Sequence, residues 1–168
     1  MSPRPSFDPA GIFAVLTRHE VTFVLIGGLA GGARGVGWPT FDADIVVEDE
    51  PENIERLARA LDELQAVYDT RHQPPIRPSL ERLLSTPGPQ LFRTRAGRRD
   101  VLKEAGGETF ETLICDASRI EAHGCGMHCA SIAALLRMKR AANRPKDQEA
   151  IAKLEEAIAG LEDPPKEP

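Results

Sequence analysis

The chain has 168 residues, 41% hydrophobic and 28% charged, with a formal net charge of -5, which suits one globular domain with a buried core and does not by itself point to nucleic acid. No apolar run approaches the roughly 20 residues that span a bilayer, and Met1–Gly11 lacks the apolar segment of a signal peptide, so the expectation is a cytoplasmic protein without a membrane partner. Cys115, Cys125 and Cys129 are an odd number and do not suggest a disulfide framework.

Asp8-Pro9 reads as an N-cap with proline at the first helical position, opening a helix through about His19 whose apolar face is Ile12, Phe13, Val15 and Leu16. Thr22–Ile26 reads as a buried strand. Gly27–Gly37 reads as a glycine-rich turn enclosing a short helix around Leu29–Arg34, and Ala43–Val47 as a second strand. Pro51 starts a helix over Glu52–Leu64, with Ile54, Leu57, Ala58 and Leu61 at helical spacing.

Val67–Tyr68 suggests a short strand, Arg71–Pro78 a proline-rich loop, and Ser79–Leu84 a short helix. Gln90–Thr94 and Arg99–Lys103 read as strands joined at Arg95-Ala96-Gly97, followed by a helix over Glu108–Cys115. Arg119–His123 and Met127–Ala130 form an expected hairpin across Gly124-Cys125-Gly126. Ser131 caps a helix to about Asn143, Pro145 breaks it, and Asp147–Leu161 forms the last helix. The expected organisation is a single domain over 1–168, with a core at about 8–130, a helical part at 131–161 and a frayed tail at 162–168. Short connections between the later strands favour an α+β (mixed α/β) fold, a small mixed twisted sheet flanked by helices.

The chemistry concentrates between Phe23 and Val47. Residues two apart on a strand share a face, so Asp42 and Asp44 project together. Neighbouring carboxylates repel each other unless a divalent cation lies between them, and Mg²⁺ is commonly held by one or two carboxylates plus substrate phosphates. Gly27 and Gly28 let backbone N–H groups approach those phosphates. The glycine pattern is neither GxGxxG nor GxxxxGK[ST], which disfavours dinucleotide and P-loop chemistry. Asp100, in Arg98-Arg99-Asp100-Val101-Leu102, is the best candidate for a third carboxylate; the competing reading is a salt bridge to its neighbouring arginines. Basic residues cluster at Arg93, Arg95, Arg98, Arg99 and Lys103, and at Arg137, Lys139, Arg140, Arg144 and Lys146. His123, Cys125, His128 and Cys129 lie too close together to resemble a usual zinc site.

Four segments carry a family likeness: Val24–Ala30, Thr40–Ile45, Gly97–Leu102 and Met138–Asp147. With them the chain resembles the DNA-polymerase-β-like nucleotidyltransferase superfamily, and within it the bacterial AbiEii type that includes the MenT toxins. The resemblance implies a nucleotidyltransferase fold with C-terminal helices. It implies that Asp42, Asp44 and Asp100 bind Mg²⁺ (or Mn²⁺) and that Gly27, Gly28 and Thr40 lie against the nucleotide. It further implies that Lys139, aided by Arg144 and Lys146, meets the triphosphate, with Asp147 orienting these cations. The implied reaction moves an NMP from a nucleoside triphosphate to an acceptor hydroxyl, most simply the 3′ end of a tRNA, with the basic clusters on acceptor phosphates. The implied setting is a toxin-antitoxin system with a cognate antitoxin or toxin protein as partner. Two departures stand out. Trp38 occupies a position where arginine is expected, and Leu29 one where serine is common; Arg34 is the candidate to replace the missing cation. The competing expectations are an AMPylating, antitoxin-type enzyme acting on a protein hydroxyl, and a catalytically degenerate binding module.

Overall fold

The computed structural model describes residues 6–162; beyond Glu162, the expected tail lies outside the described residues. Helix α1 (Pro9–Arg18) starts as the cap predicts, with Asp8 Oδ1 accepting from the Gly11 N–H at 3.0 Å. Strand β1 (Phe23–Ile26) leads directly into α2 (Gly27–Ala33), and β2 (Asp42–Val47) into α3 (Pro51–Glu63). Then come β3 (Val67–Tyr68), α4 (Leu80–Ser85), β4 (Gln90–Thr94) and β5 (Gly97–Leu102). Two short strands, β6 (Glu104–Ala105) and β7 (Glu108–Thr109), pair with each other ahead of α5 (Phe110–Ile114). The chain closes with the hairpin β8 (Ser118–Ala122) and β9 (Cys125–Cys129), α6 (Ile132–Ala142), a 3-10 turn at Pro145–Asp147, and α7 (Gln148–Glu162).

Three expectations shift. The helix foreseen at Leu29 begins at Gly27, so the turn is the helix itself. The helix foreseen from Glu108 begins at Phe110, because Glu108 and Thr109 are drawn into β7, and Thr109 then forms a capping box with Thr112. The hairpin turn is His123-Gly124, with Ala122 opposite Cys125; both turn residues have positive φ (53° and 76°), the backbone that a two-residue turn requires.

The principal sheet has seven strands in the order β3-β4-β5-β2-β1-β9-β8. It is mixed: β1 runs parallel to β9 and β2 parallel to β5, whereas β1–β2, β4–β5, β3–β4 and β8–β9 are antiparallel. The central strands β1 and β2 carry fully buried Val24, Leu25, Ile45 and Val46. Fully buried Asn53 in α3 ties them to the helices, accepting from the Thr22 N–H and donating to the Thr22 and Glu48 carbonyls at 2.7–2.9 Å. α1 packs beside α3, and α6 packs between α2 and α7. Among the described residues no helix is long and apolar enough to cross a membrane.

Candidate active site

Alternation along β2 sends Ala43 and Ile45 into the core and leaves Asp42 and Asp44 on the opposite face. The parallel pairing with β5 then sets Asp44 against Asp100 and Asp42 against Arg98. Sheet register therefore brings Asp100 beside Asp42 and Asp44, which lie more than fifty positions earlier in the sequence. One oxygen from each of Asp42, Asp44 and Asp100 lies within 4.8 Å of the others.

Their electrostatics follow from that crowding. Burial, with Asp42 and Asp100 nearby, pushes the Asp44 carboxyl up to about 7, against the pull of Lys139 and Arg144. Burial and Asp42 push Asp100 up to about 6, with Arg98 and Lys146 pulling the other way. Among the described residues no ion pair engages any of the three, and Asp44 Oδ1 is buried without a hydrogen-bond partner. The competing salt-bridge reading of Asp100 does not hold: Arg98 pairs with Asp69 at 3.1 Å, and Arg99 is fully buried on the other face of β5. An orphaned buried oxygen among three hard oxygen donors suits a divalent cation such as Mg²⁺ or Mn²⁺.

The glycines fit closely against the carboxylates. Gly27 has φ +69°, and a Cβ there would lie 3.1 Å from Asp44 Cβ; a Cβ at Gly28 would lie 2.5 Å from Thr40 Cβ. A side chain at either position would displace the site. The Thr40 hydroxyl donates to Asp42, at 3.0 Å to Oδ1 and 3.3 Å to its carbonyl, so Thr40 positions a carboxylate directly.

The basic side is organised by Asp147, which is 1% exposed. Lys139 Nζ donates to its Oδ1 at 2.7 Å, and Arg144 Nε to its Oδ2 at 2.6 Å. Burial would raise this carboxyl, but the hydrogen bonds from Arg144 and Lys139 prevail and hold it down at about 2. Lys139 Nζ also stands 5.6 Å from the centre of the Trp38 ring, within cation–π range. Lys146 is exposed beside this cluster.

Trp38 packs on Gly31, so the residue standing where arginine was expected supports Lys139 with its ring. Arg34 does not supply the missing cation: it donates to Ser118 Oγ and to the carbonyls of Cys129 and Ala130 at 2.6–3.0 Å. The two basic clusters also break up. Lys103 pairs with Asp49, Arg95 donates to the Glu63 carbonyl, Arg137 pairs with Glu108 and Arg140 with Glu155. Sequence reasoning missed Asp69, which pairs with both Arg93 and Arg98 beside Asp100. Its only signal was a lone acid following a two-residue strand.

No family model matches this sequence, and no curated protein is a detectable relative. Solved structures do resemble it. The lincosamide antibiotic adenylyltransferase LnuA, lincomycin-bound, superposes with a TM-score of 0.57 at 15% identity, over 89% of this chain and 98% of that one. TM1012 of Thermotoga maritima, assigned as a nucleotidyltransferase, gives 0.51 at 17% identity over 89% of each chain. The antibiotic-resistance factor ANT(2'')-Ia gives 0.57 at 16% identity, over 90% of this chain and 80% of that one. The chain has the fold of these proteins.

Proposed function

We propose that the protein is a metal-dependent nucleotidyltransferase that moves an NMP from a nucleoside triphosphate to an acceptor hydroxyl. The observation that carries this reading is the trio Asp42, Asp44 and Asp100, gathered within 4.8 Å with a buried, unpartnered Asp44 oxygen. The nucleotidyltransferase fold shared with LnuA, TM1012 and ANT(2'')-Ia supports it.

Bound between the carboxylates, a divalent cation would stabilise charge on the phosphates and acidify the attacking hydroxyl. The protein's own residues would do the rest. Asp100, the third carboxylate of the trio, is the candidate base for the hydroxyl proton. The acceptor oxygen forms a bond to the α-phosphorus, the bond to the β-phosphate oxygen breaks, and pyrophosphate leaves. Lys139 and Arg144, both anchored on Asp147, would meet the charge accumulating on that leaving group, with Lys146 at the rim. Gly27 and Gly28 open α2, whose first N–H groups have no intrahelical acceptor and face the nucleotide in this reading. Thr40 would keep Asp42 in place.

The acceptor we assign is the 3′ end of a tRNA, and the role that of a toxin in a bacterial toxin-antitoxin system with a cognate antitoxin. The four segments that resemble AbiEii-type proteins support that assignment. A second reading takes an antibiotic hydroxyl as acceptor, because LnuA, which this chain matches over 98% of that protein's length, is named for such a reaction.

The test is to incubate the protein with Mg²⁺ and each α-³²P-labelled nucleoside triphosphate, in separate arms with total tRNA, total cellular protein and lincomycin. An Asp42→Ala variant is the control. Label on tRNA that disappears in the control is the expected result. Label confined to protein would replace the acceptor with a protein hydroxyl, and label on lincomycin with an antibiotic. No label in any arm, from folded protein, would overturn the transferase reading in favour of a binding module.

A further inference from the structure

The face that carries the carboxylates continues across the sheet. Asp42 is the register partner of Arg98, Arg98 of Arg93, and Arg93 of Val67, a row running over β2, β5, β4 and β3. The next row is Asp44, Asp100 and Leu91. Register partners share a face, so this surface leads from the trio directly onto the outer strands. A cleft of about 1160 Å³ opens there, lined by Phe41, Asp69, Arg71, Arg93 and Arg98 among others.

The lining is built. Asp69 Oδ1 receives Arg93 Nε at 3.0 Å, and its Oδ2 receives Arg98 Nη2 at 3.1 Å. One carboxylate thus fixes two guanidinium groups. The two arginine side chains nevertheless stay 45% and 63% exposed, leaving donors free toward the cleft. Phe41, next in sequence to Asp42, is 78% exposed. The exposed ring has a free face on which a base can stack.

Position decides what the cleft receives. Lys139, Trp38 and the start of α2 lie on the β1 side of the carboxylates, whereas the cleft lies on the β4 side. Displacement at phosphorus runs with the attacking and leaving oxygens roughly in line. With the leaving pyrophosphate on the Lys139 side, the attacking hydroxyl enters from the cleft. Three arginines against one aspartate repel a cationic acceptor and attract phosphates. A volume of about 1160 Å³ exceeds the roughly 300–1,000 Å³ of ordinary small-molecule sites.

Resting on the transferase reading above, we propose that this cleft is the acceptor site and that it takes the single-stranded end of a nucleic acid. Arg71, Arg93 and Arg98 hold its phosphates, and a base stacks on Phe41.

The experiment is fluorescence anisotropy with a labelled single-stranded RNA of about 12 nucleotides and the full-length protein. Phe41→Ser and the double variant Arg71→Gln/Arg98→Gln are compared with Arg59→Gln, an exposed arginine on α3. The expected result is binding by the wild type that weakens at least tenfold in the first two and is unchanged in the third. The salt slope should shrink by about 0.7 for each phosphate no longer neutralised. Competition by total tRNA would identify a tRNA end as the strand, and competition by unstructured RNA alone another strand end; either supports the site. No binding by the wild type, equal affinities across the variants, an equal loss in Arg59→Gln, or equal competition by duplex RNA would overturn it. Binding needs no catalysis, so intact, variant-sensitive binding without label transfer would count against the transferase reading and not against the cleft.

Discussion

Asp44 on β2 and Asp100 on β5 are register partners on adjacent parallel strands, two carboxyls side by side with Asp42 against both. Burial first, and then the neighbouring carboxylates, push the two carboxyls up to about 7 and about 6.

Stability should therefore fall with pH in the absence of metal. The folded-state value of Asp44 lies above its ordinary 3.8, so the folded protein binds more protons than the unfolded chain between about pH 4 and pH 7. Stability is then lost as pH rises through that window, by on the order of 4 kcal/mol over about three units at about 1.4 each. Urea melts in EDTA should show the decline, and Asp44→Asn should reduce it to the smaller part that Asp100 contributes. A wild-type curve that is level or rising from pH 4 to 7 would contradict the reading.

Asp147 has the opposite sign. Its carboxyl is held at about 2, below the ordinary 3.8, so its contribution is complete above pH 4 and is lost as pH falls toward 2. Asp147→Asn should cost about 2–3 kcal/mol at pH 7, since it leaves Lys139 and Arg144 without their buried partner. It should also raise the KM for the nucleoside triphosphate. Denaturation together with steady-state kinetics measures both, and a variant with wild-type stability would sink the assignment.

Trp38 supports Lys139 by placing a ring 5.6 Å from its ammonium. Cation–π contacts of this kind contribute roughly 0.5–2 kcal/mol. Trp38→Leu should raise the nucleotide KM about three- to tenfold, and Trp38→Phe should recover part of the loss. Equal KM values for Leu, Phe and wild type would rule out a role for the ring.

Arg99 is fully buried, and none of its guanidinium nitrogens has a hydrogen-bond partner among the described residues. Burial brings it down to about 9, against the favourable pull of Asp44. Buried charges without good hydrogen bonds are often replaced by apolar residues with a gain of about 1–4 kcal/mol. Arg99→Met should therefore raise the melting temperature in scanning calorimetry; a clear drop would mean that the guanidinium contributes more than its burial costs.

These residues also mark what was legible in sequence. The cap at Asp8, the period-two placement of Asp42 and Asp44, and the strand bearing Asp100 follow from local rules, and they frame the sheet. The start of α2 does not: a run of glycines disfavours a helix, and only tertiary packing against Asp44, Thr40 and Trp38 holds this one. Glu108 and Thr109 have helical neighbours but pair with β6, an interaction invisible to propensity. Asp69 and Arg71 sit in a loop and reach the cleft beside the carboxylates only because β3 pairs with β4 and β4 with β5. The burial of Arg99 follows from alternation once Asp100 faces outward, yet its charge argued for the surface.

The central claim is that Asp42, Asp44 and Asp100 hold a divalent cation for nucleotidyl transfer. The most direct measurement is Mn²⁺ titration followed by water-proton relaxation, with a mixture of the four nucleoside triphosphates present, for wild type and Asp44→Asn. Saturable Mn²⁺ binding above that of the nucleotides alone, abolished in the variant, is the predicted result. Identical titrations for the two proteins, both folded, would contradict it.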